Sequence, residues 1–426
     1  MTDEFINIAQ LLGHDIRLLE AGEEVITKIK IPTLEEGAVV LSRATSLQRQ
    51  LRGATFFDAI KARQKLGQGM HDRGEAVTFA NGKILATDAA GLARHLPIRV
   101  KAISVKEKTV KEGTCWDVST RGYEWNVDND EELYCIVNID TLILEQNASL
   151  LIRGNVFSLI CQNLIKSHPR TNSYNNFDIG IHPTPYSYLS DKDCELDGEN
   201  GIDGLDGQAG QNAQDVPVSG SLFGIFHLGE CKGSVNGEDG FRGQDGKDGE
   251  NGSCGGSTKL AEITLRNIAV PKEALIIEAR AGRGGTGGDG GKGGDGGSGG
   301  NGAAAYRTLE EDYPAGRGGA GGAGGKGGAG GKGGNGGISS NIYINTATGQ
   351  ENLIKCIRIK GAGGPSGKGG AGGTGGKGGR GGLEPDGSFG PGGVCGQAGR
   401  TGQDGRNGHD RSAPPVFINE KPVIEK

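Results

Sequence analysis

The residues that could do chemistry are few and scattered. Seven histidines, at positions 14, 71, 95, 168, 182, 227 and 409, share no ligand-like spacing, and neither H-E-x-x-H nor G-x-S-x-G occurs, so zinc-hydrolase and serine-hydrolase chemistry have no motif here. Asp191, Asp193 and Glu195 in DKDCELDGENG stand at the first, third and fifth positions of a calcium-type loop. The sixth position is Leu196, where the sharp turn of such a loop needs glycine, which leaves these three as a weak candidate for metal. Lys292, Lys326, Lys332 and Lys377 lie among glycines, but each is followed by Gly rather than Ser or Thr, which excludes a P-loop. Eight cysteines contain no C-x-x-C pair, so zinc-type spacing is absent and thiols are expected in a reducing compartment. No catalytic residue and no cofactor is expected.

The more informative side chains are aromatic and acidic, and they lie in segments that interrupt glycine-rich runs. Glycine contributes 83 of 426 residues, nearly three times ordinary usage of about 7%. Most of it follows residue 197 and keeps a period of three. It falls at 198 to 210 and at 237 to 255 with one glycine per triplet, then at 282–302, 316–337 and 361–382 with two, and last at 390–408 with one.

Period three with an extended backbone predicts polyproline II geometry, which has no internal hydrogen bonds, so each N–H and C=O must find a partner outside its own run. Collagen is a poor fit because the runs are nearly free of proline and are interrupted. Side-by-side packing needs glycine on each face that meets a neighbour, because a Cβ would hold the backbones apart. Gly287, Gly288, Gly324, Gly325, Gly372 and Gly373 are therefore expected to be structural. The third position of each triplet, as in Asp289, Lys292 and Asp295, is read as facing water.

Runs of this length joined by short connectors must reverse direction. The connectors 258–281 and 338–360 alternate apolar and polar residues as strands do. Those at the other end, 213–236, 303–315 and 383–389, are irregular and carry Phe223, Phe226, His227, Tyr306, Glu310, Glu311, Asp312, Tyr313, Glu384, Asp386 and Phe389, a recognition surface in prospect.

Ahead of the glycine runs, residues 1–110 predict an α+β region with short helices at Phe5 to Leu12 and from Thr55 to Gly67. Residues 111–166 predict a β-rich core, a sandwich or short β-solenoid, with segments Leu133 to Val137, Thr141 to Leu144, Ser149 to Arg153 and Val156 to Ile160. Residues 167–197 read as an irregular connection, and 411–426 as a tail. The expected fold is mixed: a β-rich N-terminal half, then a C-terminal bundle (198–410) of about six antiparallel polyglycine II helices, with β-like connectors at one end and irregular loops at the other.

A net charge of −6 without a basic block speaks against nucleic acid as a partner. There is no apolar run long enough for a membrane span and no signal-peptide pattern at the start. In their G-G-x runs and unlike connecting loops, residues 198–408 resemble the distal adhesins at the tips of T-even-like phage long tail fibres. The resemblance implies an N-terminal part that joins a fibre or assembly partner, and distal loops that select a cell-surface glycan or outer-membrane protein. The expected function is thus non-enzymatic recognition at a virion or extracellular surface, with a cytoplasmic stage before release as the alternative location. Other expectations are a secreted or injected toxin whose N-terminal half carries the activity, and a purely structural or assembly protein. An ice-binding surface would need a flat row of small residues, and the Lys, Arg and Asp of the runs argue against it.

Overall fold

The computed structural model describes residues 1–53, 77–81, 96–127, 132–171, 176–185, 196–215, 218–221, 224–227, 235–270, 273–307 and 312–424. Three short helices open the chain, α1 (Asp3–Leu11), α2 (Ile16–Glu20) and α3 (Leu34–Leu41). Each starts on a side-chain cap: Thr2, Asp15 and Thr33 accept from the backbone N–H of Phe5, Arg17 and Glu36, satisfying donors that a helix start leaves open. The predicted helix from Thr55 to Gly67 lies outside the described residues.

The strands are β1 (Val25–Ile31), β2 (Ile98–Val110), β3 (Cys115–Asp117), β4 (Leu133–Leu144), β5 (Ser149–Arg153), β6 (Val156–Lys166), β7 (Ile179–His182), β8 (Val218–Ser221), β9 (Gly224–His227), β10 (Ala261–Ala269), β11 (Leu275–Arg280), β12 (Tyr306–Arg307), β13 (Asp312–Tyr313), β14 (Ile342–Thr346), β15 (Ile354–Ile359), β16 (Val416–Ile418) and β17 (Lys421–Pro422). An eight-stranded sheet runs β1-β2-β4-β6-β10-β14-β16-β17 and a five-stranded sheet runs β15-β11-β7-β5-β3. Every pairing in them is parallel except β1 with β2 and β16 with β17.

From β2 to β16, apart from the two small hairpin sheets β8-β9 and β12-β13, the chain alternates between the large sheets, one strand in each, so that successive coils stack by parallel pairing. Cys135, Val137, Leu150, Phe157, Leu159, Ile179, Ile263, Ile277 and Ile344 are all buried in the core between the sheets. The opposite face of the large sheet, with Tyr134, Ile136, Val156, Ile160 and Tyr343, is covered by Ile8, Leu12, Leu34, Leu41 and Phe79. The alternation of a β-strand explains the division, since neighbours such as Cys135 and Ile136 face opposite sides.

This architecture corrects the expected fold class. The regular structure is β, in two large, mostly parallel sheets, with few helices and no helix bundle among the described residues. The sheets draw strands from both sides of each glycine segment, so the chain does not divide into a β half followed by a helical half. Between β5 and β6 the return to the large sheet takes only Gly154, at φ +67°, and Asn155. After β7, β11 and β15 the same return is made by a pair of glycine runs, which are extended segments belonging to no helix or strand. We number them run 1 (197–215) and run 2 (236–255), run 3 (282–302) and run 4 (316–337), run 5 (361–382) and run 6 (390–410).

Runs 1, 3 and 5 repeat the parallel order of the strands they follow, and runs 2, 4 and 6 form a second parallel row. Within a row, the glycine N–H donates to the side-chain-bearing residue of the next run: Gly198 to Thr286 O (2.7 Å), Gly284 to Ala362 O (2.8 Å), Gly237 to Arg317 O (2.9 Å) and Gly321 to Val394 O (2.8 Å). Between rows the pairing is antiparallel, as in Gly288 to Glu250 O (2.8 Å), Gly319 to Gly300 O (2.8 Å) and Gly393 to Gly379 O (2.8 Å).

At the third position of most triplets in runs 3 and 4, read above as facing water, the N–H is capped by a side chain of the neighbouring run. Asp197, Asn200, Asp203, Asp206 and Asn212 of run 1 accept from Thr286, Asp289, Lys292, Asp295 and Asn301 of run 3 at 2.6–2.8 Å. Asn236, Asp239, Asp245, Asp248 and Asn251 of run 2 do the same for run 4. Run 3 repeats the device toward run 5 through Asp289, Asp295 and Asn301.

The N–H of Lys326 holds the Asp245 carboxyl below its ordinary value, and the N–H of Thr374 does so for Asp295. A carboxyl with a lowered folded pKa contributes stability that is full above its unfolded value of about 3.9 and disappears as pH falls through the folded one. Melting temperature is therefore expected to fall as pH drops below about 4. Asp245→Asn with Asp295→Asn, which keeps an accepting oxygen that does not titrate, should flatten that acid slope; thermal melts across the acid range measure it.

Candidate recognition site

Because runs 1, 3 and 5 are parallel, the loops that follow them emerge at one end of the molecule. They are also bonded side by side. Ala304 N–H donates to Asp215 Oδ1 (3.0 Å), tying the second loop to the end of run 1, and Ala305 N–H donates to Leu383 O (2.8 Å), tying it to the third.

In the first loop β8 and β9 pair antiparallel, Ser221 opposite Gly224. Phe226 and His227 lie on β9, and Phe223 lies outside the described residues. In the second loop β12 and β13 form a two-rung hairpin that sets Tyr306 opposite Tyr313. Their rings stack with centroids 4.4 Å apart and planes 14° from parallel. On the neighbouring rung Arg307 Nε donates to Asp312 Oδ1 (2.6 Å), and that bond holds the exposed Asp312 carboxyl below its ordinary value. Glu310 and Glu311 lie outside the described residues.

The third loop is closed by a bridge between Leu383 and Phe389 and by Glu384 N–H to Ser388 O (2.8 Å). Gly387 takes φ +82°, a left-handed turn that glycine adopts without a Cβ penalty. Asp386 accepts from the Ser388 N–H (2.9 Å) and hydroxyl (2.6 Å), which lowers its pKa. Phe389 is 62% exposed and Leu383 47%. The described tip is thus a contiguous surface of a stacked tyrosine pair, an exposed phenylalanine, a fixed Arg–Asp pair and a turn aspartate.

Asp191, Asp193 and Glu195 lie outside the described residues, among which no group of three or more His, Cys, Asp or Glu could hold a metal ion. No described helix is long and apolar enough to cross a membrane. The structural glycines sit on the close contacts between runs. A Cβ at Gly287 would collide with Gly331 O, at Gly288 with Glu199 O, at Gly324 with Gly373 O, at Gly325 with Gln244 O, at Gly372 with Gly399 O and at Gly373 with Gly294 O.

Sequence reasoning missed a basic cleft at the opposite end of the runs. Arg153, His182 and Arg280 come from neighbouring coils of the five-stranded sheet, where Arg153 pairs with His182 in register. With Thr184, Arg283 and Lys360 they line a space of about 390 Å³. Buried Glu278 accepts from His182 Nε2 (3.0 Å) and forms an ion pair with Arg280 (3.0 Å). Burial alone would raise its pKa, but the His182 hydrogen bond and the Arg280 charge hold it below the ordinary value. The cleft draws on three stretches of the chain, 153, 182–184 and 280–283, and on Lys360, spread over 207 positions, so no local spacing marks them.

No family model matches the chain, and no curated protein is similar to it. Among solved structures, it is similar to the nine polyproline type II helical bundle springtail antifreeze protein from Granisotoma rainieri, at 25% identity over 40% of this chain and 97% of that one. The TM-score is 0.09, too low for the two backbones to share a fold by that measure.

Proposed function

We propose that this protein is a non-enzymatic recognition module that binds a cell-surface ligand, a glycan first of all, through the three loops at the tip of its glycine runs. The observation that carries this reading is the side-by-side delivery of the loops, with Tyr306 stacked on Tyr313 and Phe389 exposed, at the end of the runs away from the two large sheets. Aromatic faces offer large, rigid contact area to the apolar side of a sugar ring, and fixed polar groups such as Arg307, Asp312 and Asp386 supply directional hydrogen bonds. The coils and runs hold these loops in place, and recognition is their task.

Tyr306→Ala, Tyr313→Ala and Phe389→Ala combined should weaken binding to a glycan array or to target cells by roughly tenfold or more, since truncating an anchor costs more than about 1 kcal/mol. The melting temperature should stay near that of the parent protein. Unchanged binding by a folded triple variant would reject the tip as the binding surface.

A further inference from the structure

The two outer edges of the glycine runs are complementary. Along the row of runs 1, 3 and 5, each glycine N–H that donates to the next run has an equivalent on run 5, where no further run follows. Asp410, Asn407 and Asp404 of run 6 accept from the first three, Gly363, Ser366 and Gly369, at 2.8–2.9 Å. The next four, Gly372, Gly375, Gly378 and Gly381, donate to no acceptor among the described residues. On run 1 the carbonyls of Asp197, Asn200, Asp203, Asp206, Ala209 and Asn212, equivalent to the accepting carbonyls of run 3, receive no donor among the described residues. One edge has spare donors and the other spare acceptors, both repeating about every 9 Å.

Charge follows the same polarity. Runs 1 and 2 carry ten acids against Arg242 and Lys247, net −8. Residues 360–382 and 390–411 carry seven cations, Lys360 and Arg411 included, against Asp404 and Asp410, net +5.

The side chains on the two edges also correspond in level. Gly294 lies against Leu205 and Gly373 against Gly294; Gly322 lies against Phe241 and Gly396 against Gly322. A copy continuing both rows would therefore set its Leu205 level with Gly373 and its Phe241 level with Gly396, beside Cys395, Ala398 and the unused N–H groups of Gly372 and Gly375. Leu205 is 69% and Phe241 62% exposed, against Val394 at 74% on the opposite edge. By the same chain of contacts, Glu199 falls level with Gly367, beside Lys368, and Glu250 level with Gly405, beside Arg406.

We propose that the protein associates head to tail with further copies of itself, the edge of runs 5 and 6 of one copy meeting the edge of runs 1 and 2 of the next. Glu199, Ile202, Leu205 and Gln208 occupy positions that are glycine in run 3. They hold the backbones apart, so contact is made by side chains, and Glu and Gln oxygens accept from the free glycine N–H groups as Asp and Asn do within the chain. Such a heterologous contact does not close on itself and yields a linear assembly. With the rows in line, every tip points the same way.

Sedimentation velocity on the full chain tests this. At low salt the mass should rise with concentration, and high salt should return it to the monomer, because the contact is between exposed charges. Glu199→Lys with Glu250→Lys, and separately Lys368→Glu with Arg406→Glu, should each lose the rise while keeping the parental circular dichroism. An equimolar mixture of the two variants should recover it. A wild type that stays monomeric at low salt at every concentration, or variants that assemble as the wild type does, would overturn the proposal.

Discussion

Valine at both Gly287 and Gly288 is expected to destroy the protease resistance of residues 197–410 and to lower stability by at least about 3 kcal/mol. A Cβ at Gly287 collides with the Gly331 carbonyl oxygen and one at Gly288 with that of Glu199. Both obstacles are backbone, so no rotamer change relieves them. The same displacement breaks the bonds from Gly287 to Pro365 O, from Gly288 to Glu250 O and from Gly331 to Gly288 O. Lys292→Val, at an outward position of the same run, is the control and should be tolerated. Limited proteolysis with circular dichroism decides the matter, and equal resistance in the two variants would refute the glycine contacts.

The second large effect is expected far from the glycines, where the N-terminal region, the large sheet and the C-terminus meet around one guanidinium. Arg52 is 0% exposed and forms ion pairs with Glu262 on β10 and with Glu420 (2.8 Å) in the β16–β17 turn. Its guanidinium also lies 4.1 Å over the Tyr343 ring. Glu262 accepts in addition from the Ser42 hydroxyl (2.9 Å) and the Arg43 N–H (2.5 Å). Arg52→Ala would leave Glu262 buried with its charge partner gone, and the expected loss is about 3–5 kcal/mol. Arg52→Met combined with Glu262→Leu should recover part of that loss, since it removes the fully buried carboxylate while Glu420 keeps its charge without Arg52. Urea unfolding of the single and double variants measures both, and a single variant within 1 kcal/mol of wild type would show that the cluster contributes little.

Local pattern carried a good deal of this structure. The period of three marked the glycine contacts because each Cβ-free position corresponds to one neighbouring backbone. Strand-length segments marked β5 and the first half of β6, and alternation marked the strands of both connectors. The segment reading failed inside β4, where the polar residues between Val137 and Thr141 read as a break. Asn138 is instead buried within one continuous strand, its amide donating to Phe5 O (3.0 Å) and Ser104 Oγ (3.3 Å), and a polar residue satisfied by distant partners leaves no trace in its own neighbourhood.

Sheet membership was hidden for a related reason. Ala261 pairs with both Phe157 and Ile342, residues about a hundred positions away on either side, so parallel coils interrupted by long runs have no short-range signature. The capping of the third N–H did have one. Asp or Asn immediately precedes glycine again and again in runs 1 and 2, and the exceptions, Ala209, Arg242 and Cys254, stand opposite Ser298, Ala323 and Asn335, for which no such cap exists among the described residues. At the tip, the composition of the loops could be read, whereas the stacking of Tyr306 on Tyr313 depends on hairpin register.

One strand and one run per sheet and row recur with nearly the same chain length. Ala261 pairs with Ile342 and Leu275 with Ile354, offsets of 81 and 79 residues. The molecule is therefore built in interchangeable tiers, each holding two strands, two runs and its own crown loop. Thr258 bridges Ser339 in parallel register, so excising 258–338 would join Ser257 to the residue equivalent to Thr258 and remove one whole tier without shifting the tiers above and below.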